Sequence, residues 1–361
     1  MKKLRIAFLP HLGRPITRYT RAARARVMYD LIFELSKKGH SLYIIGTADT
    51  KTPATTIPVA PTGVFMMKLS ENDFYRHTSY VTRALKTLEN LQDKFDLVHN
   101  HMYPEFMPYL LGPQLKIPML TTVHTEMNDY LVDALKTFKG AQLVALSEKH
   151  KADAKGLKIP YVVHNGINMD AFPFSPKHKD YLLFVGRIKI VKKEDGSVYD
   201  PKGVLTAISV AKKTKQKLLI SGSIENKAMY EHFIKPHLSK QIQLVGGVSN
   251  QAPLSQEEIA ELYRGAKALL FPINWQEPFG LVIVEANAAG TPVIAMNRGA
   301  VPELIHNGVN GYVVETEKEM IQALTKIEKI DRKKCHEAVE IKFARSTMAD
   351  NYEKLYYELV S

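Results

Sequence analysis

The chain has one cysteine, Cys335, and one tryptophan among 361 residues. A single thiol excludes an intramolecular disulfide and any metal site built from several cysteines. Its lysine-rich surroundings carry no catalytic pattern, so Cys335 reads as a bystander. Long apolar runs are missing too. The first thirty residues hold only a short one, residues 6–10, followed at once by arginines. That is too short for the apolar region of a signal peptide or for a membrane span, so the expected location is cytoplasmic. No short-period repeat is evident. Acidic residues are in the minority: Lys and Arg number 49 against 37 Asp and Glu, a net charge of +12. Such an excess favours phosphorylated ligands, anionic membrane surfaces or nucleic acid. The chain carries no recognised nucleic-acid motif, and nucleic acid is set aside as a partner.

What is present is ample core material. Hydrophobic residues make up 45% and charged residues 24%, the composition of a folded globular chain. A length of 361 residues exceeds what one core supports, roughly 250–300 residues, so two domains are expected. Short apolar runs alternate with longer amphipathic ones, the pattern of βαβ units and a parallel sheet. The first series predicts strands at 4–9, 41–46, 96–100, 118–123, 142–146 and 160–163, with helices at 21–38, 74–92 and 128–138. The proline-containing stretch 173–180 reads as a linker between domains 1–172 and 181–342. The second series predicts strands at 181–186, 217–221, 242–246, 268–272 and 292–296, and helices at 203–213, 255–265, 280–289 and 317–329. Residues 343–361 end in a helical pattern with Met348, Tyr352, Leu355 and Leu359 on one side.

In open parallel sheets, ligands sit beyond the carboxyl ends of the strands, where helix N-termini present free N–H groups. That rule selects Gly13, His99, His101 and His124 in the first half, and Gly186, Arg187, Gly222 and the loop from Pro272 to Phe279 in the second. Within 277–285, Glu277 precedes Pro278 at a plausible helix start, so that Phe279, Gly280 and Leu281 would offer early backbone amides. Glu285 would lie about two turns further on. The two glutamates would reach different parts of one ligand.

The run from Leu270-Phe271-Pro272 to Gly311-Tyr312-Val313 resembles family 4 of the retaining glycosyltransferases. Asp96 to His101, Thr121 to His124, His164 to Asn168, Phe184 to Arg187 and Lys202-Gly203 agree with it in order. The resemblance implies an α/β GT-B fold, with two facing Rossmann-like domains, parallel sheets and a cleft between them. It also implies a terminal helix crossing back to the first domain and closure about the linker. The implied reaction moves a hexose-type sugar from a nucleotide-diphosphate sugar, UDP preferred and GDP second, with retention of anomeric configuration. The nucleotide-sugar is a substrate, and neither cofactor nor metal is required.

By the same resemblance, the catalytic set is His124 facing the donor sugar, Arg187 and Lys202 on the diphosphate, and Glu277 on the sugar hydroxyls. Glu285 would hold the ribose, and Gly13, Gly186, Pro278, Phe279, Gly280 and Leu281 would complete the donor site. His99 and His101 are expected to be structural. Fourteen residues intervene between Arg187 and Lys202, more than the family places there, which leaves Lys189, Lys192 and Lys193 as alternatives. The turn after the first strand has one glycine, Gly13, where relatives have several. Arg14, Arg21 and Arg24 follow, and bind an anionic or membrane-associated acceptor in the expected reading. The competing readings are a phosphorylase or epimerase of the same fold, or a catalytically silent binding protein.

Overall fold

The computed structural model describes residues 2–68, 71–246 and 254–361. The chain divides into two compact units, Met1–Gly166 with Arg345–Ser361, and Ile167–Ala344.

The first unit is built on seven parallel strands: β1 (Arg5–Leu9), β2 (Ser41–Thr47), β3 (Thr55–Ala60), β4 (Leu97–Asn100), β5 (Met119–Thr122), β6 (Gln142–Ala145) and β7 (Tyr161–Val162). They lie in the order β3-β2-β1-β4-β5-β6-β7. Helices α1 (Ala23–Lys37), α2 (Asp73–Leu91), α3 (Asp129–Lys136) and α4 (Glu148–Asp153) connect them. Strand β4 is buried throughout, as expected of a central parallel strand covered on both faces. The chain winds outward from β1 through β2 and β3, then returns to β4 on the other side of β1. The loops after β1 and β4 therefore diverge, which opens a crevice at their carboxyl ends.

The second unit repeats the plan with β8 (Leu182–Val185), a two-stranded hairpin of β9 (Val191–Lys192) and β10 (Val198–Tyr199), then β11 (Leu218–Ser221), β12 (Ile242–Leu244), β13 (Ala268–Phe271), β14 (Val293–Met296) and β15 (Gly311–Val314). The main sheet runs β12-β11-β8-β13-β14-β15, and its switch of direction falls between β8 and β13. Its helices are α5 (Val204–Thr214), α6 (Lys227–Phe233), α7 (Gln256–Gly265), α8 (Leu281–Ala288), α9 (Val301–Leu304), α10 (Glu317–Leu324) and α11 (Arg332–Lys342). A capping box opens α7: Ser255 accepts from the Glu258 amide while the Glu258 carboxylate accepts from the Ser255 amide. Cys335 is fully buried in this unit's core.

The last helix, α12 (Arg345–Val360), belongs to the first unit. Its Tyr356 hydroxyl lies 2.6 Å from His99 Nδ1, and its Tyr352 hydroxyl 2.9 Å from Thr122 Oγ1, which in turn is 2.8 Å from His99 Nε2. All four side chains are buried. Every polar atom of this network therefore has a partner, as burial demands. Salt bridges from Arg345 to Glu34 at 2.8 Å and to Asp30 at 3.2 Å fasten the start of α12 to α1.

The stretch 173–180 is bonded into the second unit: the Ser175 amide donates to the Ala289 carbonyl and the Lys179 amide to the Gly265 carbonyl. The units divide instead after Gly166 and after Ala344. Strand β3 was not expected from the sequence, because Pro58 interrupts its pattern. An edge strand tolerates a proline, and β3 is the edge. Helix α11 also escaped, since a charged surface leaves only Arg332, Cys335 and Val339 of it buried.

Candidate active site

In the second unit the loops after β8 and β13 carry the expected donor residues. Gly203, at φ +76°, caps α5 where a Cβ would stand 1.8 Å from the Pro272 carbonyl oxygen. Only glycine permits that approach. Asp200 accepts from the Gly203 and Leu205 amides, each at 2.8 Å, and Asn274 bonds the Asp200 and Pro201 carbonyls. Burial pushes the Asp200 carboxyl up. Residues 200–205 and 272–277 thus form one framework.

Lys202 is set on that framework with its ammonium 2.8 Å from Glu277 Oε2 and 4.3 Å from the centre of the Trp275 ring. The Trp275 indole N–H is buried and has no hydrogen-bond partner among the described residues. The fourteen residues between Arg187 and Lys202 are accounted for by the β9–β10 hairpin. Lys189, Lys192 and Lys193 are exposed on and beside it, and Lys193 lies over the Tyr199 ring. Arg187 is 70% exposed and pairs with Glu225 at 3.2 Å. Gly186 follows β8 directly.

Helix α8 begins at Leu281 with Gly280 at φ +107° as its cap, so Pro278 and Phe279 lie outside the helix and are buried. Of the three amides expected at its start, only that of Leu281 is in the first turn. Glu285 accordingly stands little more than one turn into the helix, not two. It is 2% exposed and accepts from the Tyr263 hydroxyl at 2.9 Å. The Glu277 carbonyl accepts from the Ala300 amide, which pins the glutamate's backbone to the loop after β14.

In the first unit the expectations need more correction. Gly13 lies where a Cβ would meet His11 and Phe65 at under 3 Å, and its amide donates to His11 Nδ1 at 2.8 Å. That amide is spent within the loop. Helix α1 begins at Ala23, so Arg21 precedes it and is exposed, as is Arg14. Arg24 is not a free cation: it pairs with buried Glu105 at 3.1 Å and donates to the His101 and Met102 carbonyls. Thr125 also donates to Glu105. Desolvation lowers the Arg24 pKa and the Glu105 charge raises it.

His124 follows β5, with Nε2 2.7 Å from His101 Nδ1. Burial and then the Arg24 charge hold His124 well below the ordinary imidazole range, and the same causes bring His101 to about 3. Both rings are neutral at neutral pH. His99 serves the α12 network. Among the described residues, no three His, Cys, Asp or Glu side chains are grouped so as to hold a metal ion.

Comparison with known proteins decides the family. Residues 168–344 match the family described as Glycosyl transferases group 1, and residues 25–171 match Glycosyltransferase Family 4. The chain belongs to the group 1 glycosyltransferases of family 4. This glycosyltransferase is 25% identical over 328 residues to the D-inositol 3-phosphate glycosyltransferase of Mycolicibacterium smegmatis, an alignment spanning 78% of this chain and 72% of that one. Its fold is α/β of the GT-B type. Sucrose-phosphate synthase from Thermosynechococcus elongatus superposes with a TM-score of 0.78 at 18% identity, covering 99% of both chains. Anabaena HepE in complex with UDP-glucose gives 0.71 at 16%, covering 99% of this chain and 100% of that one. The chain is therefore a glycosyl-transferring enzyme, which removes the silent binding protein from consideration.

Several residues of this glycosyltransferase's candidate site were not singled out from sequence. Asp200 and Trp275 support Lys202, Tyr263 holds Glu285, Glu225 meets Arg187, and Glu105 neutralises Arg24. Asp200 had a signal, since Asp-Pro-Lys-Gly reads as a turn with a side-chain cap. Tyr263 had none, because it reaches Glu285 from another helix.

Proposed function

We propose that this chain transfers a hexose-type sugar from a UDP-sugar to an acceptor with retention of configuration. The observation that carries the reading is the Lys202–Glu277 pair, a cation and a carboxylate 2.8 Å apart at the sheet's switch point. A diphosphate would draw the ammonium, and the released carboxylate would then accept from sugar hydroxyls. Arg187 is the second cation for the departing phosphate, and Glu285, oriented by Tyr263, accepts from the ribose. His124 faces the sugar. Attack from the face the nucleotide leaves needs no enzyme nucleophile, because the departing phosphate can take the acceptor's proton; positioning and charge stabilisation do the rest. UDP is preferred because HepE, of the same fold, is described in complex with UDP-glucose. On this reading neither metal nor organic cofactor is needed.

The test is a titration with UDP-, GDP- and ADP-sugars by calorimetry. Saturable binding of a UDP-sugar is expected, weakened at least tenfold in Glu285→Ala, the cost of a lost carboxylate contact of about 1.4 kcal/mol or more. Binding of a GDP-sugar alone would replace the base, and binding of none would defeat the reading. A phosphorylase or epimerase would instead consume inorganic phosphate or isomerise the donor with no acceptor present.

The acceptor side of the reading is an anionic lipid surface. Phe65, Met66, Phe74 and Tyr75 are 63%, 59%, 75% and 73% exposed, and the exposed Arg14 reaches Met66, its Nη1 3.6 Å from Met66 Sδ. Exposed aromatics beside arginine suit the boundary of an anionic bilayer. Co-sedimentation with vesicles containing anionic lipid is expected to recover the protein, and Phe74→Ser with Tyr75→Ser to reduce recovery about tenfold. Equal recovery on neutral vesicles, or no effect of the substitutions, would reject this. Arg24→Ala is unsuited to the purpose, since it would strand Glu105 as a buried charge.

A further inference from the structure

His101 and His124 share one proton across 2.7 Å, and the surroundings of His101 decide which ring holds it. His101 is 1% exposed, and its other nitrogen, Nε2, is buried without a hydrogen-bond partner among the described residues. Its ring lies against Phe8, at 6.2 Å between centroids, and His99, at 3.9 Å. Two arrangements satisfy the short contact. If His124 donated from Nε2, His101 would accept on Nδ1 and carry its own proton on Nε2, burying an orphan N–H. If His101 donates from Nδ1, the orphan atom is a bare nitrogen. Orphaned buried N–H groups are the rarer kind in proteins. The Arg24 guanidinium, bonded to the His101 carbonyl, acts on both rings, and a neighbouring cation favours a buried lone pair over a buried N–H.

We infer that His101 is a positioning residue that fixes the tautomer of His124, placing the His124 proton on Nδ1 so that this ring offers its ligand an N–H donor. Among the described residues the His124 Nδ1 makes no hydrogen bond of its own, and the residue is partly exposed after β5. An unconstrained imidazole favours the opposite tautomer, with the proton on Nε2, so the contact reverses the intrinsic preference. The consequence is chemical: a neutral Nδ1–H donates to a sugar hydroxyl or ring oxygen but cannot accept a proton there. His124 then orients the sugar and does not act as a base at that atom. The role of the donor rests on the reading of His124 as facing the sugar; the tautomer itself does not.

The test is imidazole nitrogen NMR on the full chain labelled with 15N-histidine, with His124 assigned by the signals lost in His124→Gln. The wild type is expected to show His124 as the Nδ1–H tautomer, unchanged between about pH 5 and 8. His101→Leu should return His124 to an Nε2–H-dominated mixture, and His101→Asn, whose amide occupies the place of Nδ1 and can donate, should restore Nδ1–H. An Nε2–H pattern in the wild type overturns the inference without any variant having to fold, as does a tautomer unmoved by His101→Leu in a folded protein. Donor turnover should fall about tenfold in His101→Leu and recover in His101→Asn, the scale of one hydrogen bond. If the tautomer is as stated but UDP-sugar leaves the His124 signals unmoved, the donor reading fails and the inference about His101 stands.

Discussion

Lys202→Met is expected to lower turnover, read as nucleoside diphosphate release from the donor, by about two to three orders of magnitude, the loss typical when one preorganised donor to a developing charge is removed. The argument rests on where the ammonium is held. Lys202 leaves a framework in which Asp200 accepts from the Gly203 and Leu205 amides at the start of α5 and Asn274 ties Asp200 to the loop after β13. Its side chain is 20% exposed and that of Glu277 14%, so the pair is partly desolvated and its charge is worth more than at an open surface. A lysine poised by Trp275 and Glu277 loses little freedom when a diphosphate arrives. Glu277→Gln is expected to cost a comparable factor, since the amide keeps hydrogen-bonding capacity but releases the lysine. Because the two act as a unit, the double variant should fall to about the level of the worse single one. Strictly multiplicative losses would show that they serve the donor independently. A change confined to KM would show that the lysine supplies only uniform binding. Lys193→Met, on the exposed hairpin, is the internal comparison and should leave turnover within about twofold.

The contrast between Lys202 and Lys193 shows where sequence reasoning stops. Four lysines lie within reach of Arg187 along the chain, and spacing favours the early ones. Only folding reveals that β9 and β10 pair into a hairpin, so that most of the intervening residues loop out and Lys202 returns beside Glu277. The strand ends, by contrast, were legible, because a buried parallel strand needs an unbroken apolar run and Leu182–Val185, Ala268–Phe271 and Val293–Met296 are such runs. Gly186 and the 272–280 loop followed from those ends. Two edge strands, β7 and β12, were legible as short apolar runs, but the other two were not: β3 contains Pro58, and β15 is four residues in a segment rich in asparagine and glycine. Arg24 illustrates the opposite failure. Its position in a basic segment reads as a ligand-binding cation, but whether a cation is free depends on its partner. Glu105, eighty-one residues away, cannot be paired with it from pattern alone. The same holds for His101 and His124, whose contact crosses from the loop after β4 to the loop after β5.

Arg332→Met is expected to destabilise the second unit by about 3–5 kcal/mol, the scale of several hydrogen bonds from one cation lost together. For a unit of this size that is a fall of roughly 10 °C in the midpoint of its transition. Arg332 is 7% exposed. Its guanidinium donates from Nε to the Ser175 carbonyl at 2.8 Å, from Nη1 to the Ala266 carbonyl at 2.9 Å, and from Nη2 to the Arg264 carbonyl and Thr291 Oγ1, both at 2.9 Å. Arg264 and Ala266 close helix α7, so the cation sits at the negative end of that helix and satisfies carbonyls left over by its last turn. Methionine preserves most of the packing volume but removes the guanidinium donor from the Ser175, Arg264 and Ala266 carbonyls, the last of which keeps only a long contact from Thr291 Oγ1 at 3.4 Å. Arg332→Lys should recover less than half the loss, because three donors on one nitrogen cannot span acceptors arranged around a planar fork. A transition within about 2 °C of the wild type in Arg332→Met would show that water or a shifted main chain replaces the guanidinium at little cost. The clamp also bears on the site. Tyr263, which donates to Glu285, belongs to the helix whose end Arg332 fastens. The folded variant should therefore bind donor more weakly, and Tyr263→Phe should reproduce that weakening while sparing most of the stability. Were Arg332→Met to bind donor as the wild type does, α7 would be held in place by its packing alone, and the hydroxyl of Tyr263 would reach Glu285 without help from the cation behind it.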